Sequence, residues 1–134
     1  PGASMRIEDG GGRAKNKQMG DFLYWDLDDN TFLFECKATR GKSFELRNLT
    51  DDQLKSLLSF DALRESNHSV IAINYYGDDV AKENHCVLIN VNEYKSYIEG
   101  TSKASLSYDD ALDIGFECSV VKGNIWNLNP WAVI

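Results

Sequence analysis

Apolar residues in this chain come in short runs separated by polar turns, and the spacing inside each run indicates an element. Phe22-Leu23-Tyr24-Trp25 and Phe32-Leu33-Phe34 flank Asp28-Asp29-Asn30, three good turn formers. Strands near 22–27 and 31–37, joined as a hairpin, are predicted. Downstream, Leu54, Leu57, Leu58 and Ala62 recur at helical spacing and define one apolar face. Thr50 stands at the head of that pattern with Gln53 completing a capping box, and Leu49 with Leu54 supplies a hydrophobic staple. The helix is expected from Thr50 to about Ser66. Residues 69–76 and 85–89 are nearly continuous apolar runs, the pattern of strands buried on both faces, with Gly77-Asp78-Asp79 opening the connection between them. Shorter helices near 92–99 and 108–114 should stop at Gly100 and Gly115 in left-handed caps. The tail, with Trp126, Pro130 and Trp131, is expected to pack on the core and offer an edge segment.

The polar residues around the first hairpin add a chemistry to this fold. Residues two apart in a strand share a face, so Glu35 and Lys37 project together while Cys36 points into the opposite layer. A chain that turns at 28–30 returns Asp21, just ahead of the first strand, to the end of the sheet that holds Glu35. Two carboxylates and a lysine meeting at a sheet edge can hold a divalent metal and activate a water, the chemistry needed to cut a phosphodiester. Asp21 and Glu35 offer hard oxygen ligands to Mg²⁺, assisted by the main-chain carbonyl of Cys36, with waters and a phosphate oxygen completing an octahedron. Lys37 can orient the water, stabilise charge on the phosphate, or simply pair with Glu35. Gln53 also has two explanations: its capping box is sufficient reason for it, yet the same first turn can aim its amide at a water or phosphate.

Charge adds a second layer. The chain has 134 residues and a formal net charge of −7, with 14 basic against 21 acidic side chains. Such a balance argues against a general binder of nucleic acid, so the distribution matters more than the sum. Residues 1–50 carry eight basic and eight acidic groups, whereas residues 51–134 carry six basic and thirteen acidic. The surplus negative charge is therefore distant in sequence from the acidic pair, and Arg13, Lys15, Lys17, Arg40, Lys42 and Arg47 bracket that pair. Together they are candidates for backbone phosphate contacts; the plain alternative is a solvated surface of mixed charge.

Organisation is simple. Pro1-Gly2-Ala3-Ser4 before Met5 is set aside as an expression scar, and Gly10-Gly11-Gly12 leads into a basic stretch that reads as a flexible arm. Residues 1–12 are thus scar and arm, and 13–134 one domain. Cys36, Cys86 and Cys118 are odd in number and lack CxxC spacing; with only His68 and His85 beside them they read as buried free thiols of a reducing cytosol, not a zinc site. No run approaches the roughly 20 apolar residues of a membrane span, and no leader with a basic start and apolar centre is present, so a cytoplasmic protein without a membrane partner is expected.

Asp21…Glu35-Cys36-Lys37 follows the PD-(D/E)xK nuclease signature, with Gly20 where a proline often stands. The longer pattern resembles the RecU family of Holliday junction resolvases in its small, phage-borne form. It runs through Phe34-Glu35-Cys36-Lys37-Ala38-Thr39, Lys42-Ser43-Phe44, Leu46-Arg47-Asn48 and Gln53 at a helix start. Weaker similarity continues through the 70–75 and 87–89 strands, Lys103-Ala104-Ser105-Leu106 and Asn129, so that it spans roughly residues 13–134. The resemblance implies an α/β, restriction-endonuclease-like fold with a central mixed β-sheet flanked by helices, a homodimer, dependence on Mg²⁺ or Mn²⁺, and paired nicks across a four-way branched DNA. By the same carry-over Asp21 and Glu35 are metal ligands, Lys37 is the catalytic lysine and Gln53 an auxiliary helix residue. Gly20 departs from the hydroxyl residue usual before the aspartate, and the short N-terminal segment leaves Glu8 or Asp9 as substitutes for an upstream acid. The residues themselves leave two other readings open. One is a nuclease of the same fold acting on linear, flapped or recognition-sequence DNA; the other is a non-catalytic DNA- or protein-binding module whose acids only form salt bridges.

Overall fold

A computed structural model of the chain describes residues 2–6, 20–77, 84–122, 125–127 and 129–134. In chain order the elements are β1 (Gly2–Arg6), β2 (Phe22–Asp26), β3 (Thr31–Arg40), β4 (Ser43–Glu45), α1 (Asp51–Leu63), β5 (Asn67–Tyr76), β6 (His85–Asn90), α2 (Val91–Gly100), β7 (Ser105–Ser107), α3 (Tyr108–Ile114), β8 (Phe116–Glu117), β9 (Ser119–Lys122) and β10 (Ile125–Asn127). Short 3₁₀ turns at Leu46–Asn48 and Pro130–Val133 complete the list.

Among the described residues six strands make one sheet in the order β1-β2-β3-β5-β6-β8. β3 and β5 run parallel, and all other neighbours in it are antiparallel. A parallel pair needs a crossover, and α1 supplies it. Two ribbons, β4–β7 and β9–β10, stand apart from the main sheet. The centre is buried on both faces, as the continuous apolar runs predict. On one side Leu33, Ile71, Ile73, Val87 and Ile89 pack beneath the helices with Leu57, Tyr94 and Ala111. Full burial of a side chain such as Leu57 is worth about 2 kcal/mol. On the other side Phe32, Phe34, Val70 and Leu88 join Cys86 and Cys118. The tail closes that side: Trp131 packs edge-on against Tyr24 and Phe32, and its indole N–H donates to Asp26 Oδ2 at 2.9 Å.

Local signals and tertiary partners divide the boundaries between them. The capping box forms in full, with Gln53 N–H donating to Thr50 Oγ1 and Thr50 N–H to Gln53 Oε1. α1 nevertheless ends at Leu63 rather than near Ser66, because Asn67 captures the departing chain: its amide donates to the Phe60 carbonyl and its N–H to that of Arg64. β3 runs on to Arg40, past the predicted 37, since its parallel partner continues in register to Tyr76. The left-handed caps expected at Gly100 and Gly115 do not form. Among the described glycines only Gly41 and Gly77 have positive φ, both in turns that follow strands of the parallel pair. Gly115 is extended and is small for a different reason, because a Cβ there would overlap the Leu88 carbonyl oxygen. Gly2–Arg6, set aside in the sequence as scar and arm, pairs antiparallel with β2; the open edge of β2 offers unpaired N–H and C=O groups to any nearby strand. The expected edge segment of the tail pairs instead with β9 in its own ribbon. Among the described residues no helix is long and apolar enough to cross a membrane.

Candidate functional site

Asp21 enters the site through the backbone. Its N–H donates to the Phe34 carbonyl at 2.7 Å, extending the β2–β3 ladder by one residue, and its Oδ2 accepts the Cys36 N–H at 2.8 Å. The carboxylate is thereby held beside the main chain that flanks Glu35. Gly20 makes this approach possible: a Cβ would come within 2.9 Å of Leu33 Cδ1 and 3.0 Å of the Phe34 carbonyl oxygen. The glycine standing where a proline or hydroxyl residue is usual thus has a steric cause in this chain.

Glu35 lies in the middle of β3 and is only 5% exposed. It faces the helical layer with Lys37, as the two-residue period requires, in the same transverse row as Ile71 and Ile89. Its Oε2 is buried and, among the described residues, has no hydrogen-bond donor beside it. Burial, then a hydrogen bond shared with Asp21 and the negative charge of Asp21, pushes the Glu35 carboxyl up to about 7, with Lys37 opposing the rise. The two acids therefore converge on one face of the sheet, and a proton or another cation is needed to hold them together.

Lys37 contacts Glu35 only at the limit of an ion pair, 4.0 Å from Oε1. Its closer partner is Gln53 Oε1 at 3.0 Å, the same oxygen that accepts the Thr50 N–H. Both explanations open for Gln53 in the sequence are thus altered. Its amide oxygen closes the capping box and also positions the lysine, so the start of α1 and the end of β3 are joined through one atom.

Arg40, Lys42 and Arg47 are exposed, at the end of β3, in the turn after it and in the 3₁₀ turn before α1. Arg47 is partnered by Glu45 at 2.6 Å, and the Lys42 carbonyl accepts the N–H of Tyr108. Arg13, Lys15, Lys17, Glu8 and Asp9 lie outside the described residues. Among the described residues no group of three or more His, Cys, Asp or Glu side chains gathers as a metal site.

One polar cluster escaped the sequence reading. The His85 ring and the Tyr108 hydroxyl both meet Glu117 Oε1, on the same face of the sheet as Lys37. No spacing links positions 85, 108 and 117; only the pairing of β6 with β8 and the packing of α3 unite them.

No protein-family model matches the chain, and no curated protein matches it in sequence. Among solved structures it is similar to Hjc of Archaeoglobus fulgidus, a Holliday junction resolvase from an archaeal hyperthermophile, with a TM-score of 0.58 and 14% identity. The match covers 87% of this chain and 82% of that one. At this identity the likeness is one of architecture: the mixed central sheet flanked by helices is the restriction-endonuclease-like fold.

Proposed function

We propose that the chain is a metal-dependent endonuclease that cuts branched DNA at four-way junctions. The observation that carries this reading is the acidic pair. Asp21 and Glu35 share one face, Glu35 keeps an oxygen without a donor among the described residues, and its carboxyl is raised toward neutrality. Such a pair fits a hard divalent cation, Mg²⁺ or Mn²⁺, which would replace the shared proton and give the orphaned oxygen a positive partner. Asp21, Glu35 and the main-chain carbonyl of Cys36 would hold it. When bound, the cation neutralises charge on the scissile phosphate and acidifies water.

The chain's own residues do the rest. Gln53 keeps the Lys37 ammonium off Glu35, leaving it to orient the attacking water or to offset charge on the phosphate. Arg40, Lys42 and Arg47 would follow the backbone of the substrate, joined by Arg13, Lys15 and Lys17 from the basic segment. The preference for a junction rests on the fold shared with an archaeal resolvase and on the RecU-like order of residues 34–53. A homodimer would place two such sites on the equivalent strands of a junction and so produce paired nicks.

The test is a panel of four-way junction, duplex and flap substrates, each with and without Mg²⁺ or Mn²⁺. Symmetric nicks confined to the metal-containing junction reactions are expected. Equal cutting of duplex or flap would replace the junction reading with a nuclease of the same fold acting on other DNA. Binding without any cleavage would favour a non-catalytic module.

The link between Lys37 and the cap makes a further prediction. Gln53→Ala and Thr50→Ala should each lower stability by about 1 kcal/mol through loss of the cap. Only Gln53→Ala frees Lys37, and it alone should slow cleavage, by roughly tenfold or more. Urea unfolding and single-turnover rates on the two variants separate the effects; equal rates would mean that Gln53 serves the helix alone.

A further inference from the structure

We propose that Cys86 and Cys118 form a dithiol that a small-molecule disulfide converts into an intramolecular disulfide, latching the edge strand of the sheet. The two residues face each other. Val87 pairs with Glu117 in the β6–β8 ladder, and one step further the Cys118 N–H donates to the Cys86 carbonyl at 2.8 Å. Residues opposite one another in a hydrogen-bonded antiparallel pair have Cα atoms about 5.5 Å apart. That lies within the roughly 4.4–6.8 Å that a disulfide spans. Both thiols are free, and both are buried in the same cluster with Phe34, Ala72 and Leu88. The mutual contact of the two side chains, with burial, pushes the Cys86 thiol up, and the same contact holds that of Cys118 below its ordinary range. The third cysteine, Cys36, is exposed and not buried as the sequence suggested, because it lies on β3 beyond the core, two strands away from β6 in the sheet.

Access follows from the position of β8, a two-residue strand at the sheet edge. Short edge pairings open locally far more easily than the core. The chemistry balances as ordinary thiol–disulfide exchange. One of the two thiolates attacks one sulfur of the reagent and expels its first thiol; the facing cysteine then attacks the mixed disulfide and releases the second. The protein gives up two hydrogens and two electrons in forming one S–S bond, and the reagent's S–S bond takes them up. The new bond would close the segment 86–118 around α2, β7 and α3. It would also pin Glu117, the carboxylate that gathers His85 and Tyr108.

The experiment uses the full reduced chain, exposed to oxidised glutathione and then alkylated under acid conditions before digestion. Expected are a mass lower by two hydrogens, one linked peptide pair joining positions 86 and 118, and a raised melting temperature that dithiothreitol reverses. The same oxidation in denaturant should scatter links over all three cysteines, so selectivity in the native chain reports adjacency. A native product carrying glutathione on Cys36 alone, a link that includes Cys36, or recovery of alkylated Cys86 and Cys118 would each overturn the proposal. Cys118→Ser should lose both the link and the thermal shift; if that variant does not fold, the peptide map of the unaltered chain decides by itself.

Discussion

Replacing Asp21 by Asn or Glu35 by Gln is expected to slow metal-assisted cleavage of a four-way junction by roughly a thousandfold or more, about 4 kcal/mol in the barrier. The amide variants are better probes than alanine. Asp21 also accepts the Cys36 N–H through its carboxylate, so Asp21→Ala would strip that N–H of its acceptor along with any ligand function, while its own backbone bond to Phe34 would remain. Asn keeps an acceptor for that N–H but offers a cation a weaker, neutral oxygen. Gln at 35 keeps the volume of a residue that is 5% exposed. Junction binding in the absence of metal should persist in both variants, because the proposed phosphate contacts come from the basic residues and not from the acidic pair. Single-turnover cleavage together with metal-free binding measures the two effects separately. Wild-type cleavage in Mg²⁺ by either variant would show that the acidic pair is not the site.

Glu35→Gln should also stabilise the metal-free protein above neutral pH, by about 3 kcal/mol. The folded protein holds the Glu35 proton up to about pH 7, whereas an unfolded chain releases it near the ordinary value of 4.5. A carboxyl raised in the folded state contributes stability that is fully present below the unfolded value. That contribution is lost as pH rises through the folded one. Between about pH 5 and pH 8 the unaltered protein should therefore weaken while the Gln variant does not follow it. Urea unfolding across that range gives the comparison directly. Adding Mg²⁺ near pH 8 should restore stability to the unaltered chain and leave the variant unmoved, since a cation bound only by the native state adds to stability by mass action. Parallel stability curves for the two proteins would mean that Glu35 is not held in a protonated, cation-seeking environment.

Both predictions depend on a convergence that the chain announces early. A period of two puts Glu35 and Lys37 on one face, a turn at 28–30 brings Asp21 back to them, and a capping box starts α1 at Thr50. Each is a short-range relation among residues within about one element of each other, and short-range rules hold whatever surrounds them. Relations of longer reach were not legible. Gly20 is required by atoms of Leu33 and Phe34, and Gly115 by the carbonyl of Leu88. The partner of Lys37 lies sixteen positions on, at Gln53. The resemblance to RecU-type resolvases reaches the architecture, which the archaeal resolvase structure shares, but no family model supports the finer assignment.

The β2–β3 hairpin, the buried runs of β5 and β6, the three helices and the alignment of one acid with one lysine were determined by the sequence alone, since side-chain alternation and helix capping act over a few residues. Tertiary structure decided the rest. It set the length of β3 through its parallel partner, drew Gly2–Arg6 onto the open edge of β2, and left Glu35 Oε2 without a donor among the described residues. It also placed Cys86 opposite Cys118 and tied Lys37 to the cap of α1. The physical reason is common to all of these: burial and hydrogen-bond satisfaction are properties of the packed whole, fixed by neighbours that are remote in the chain.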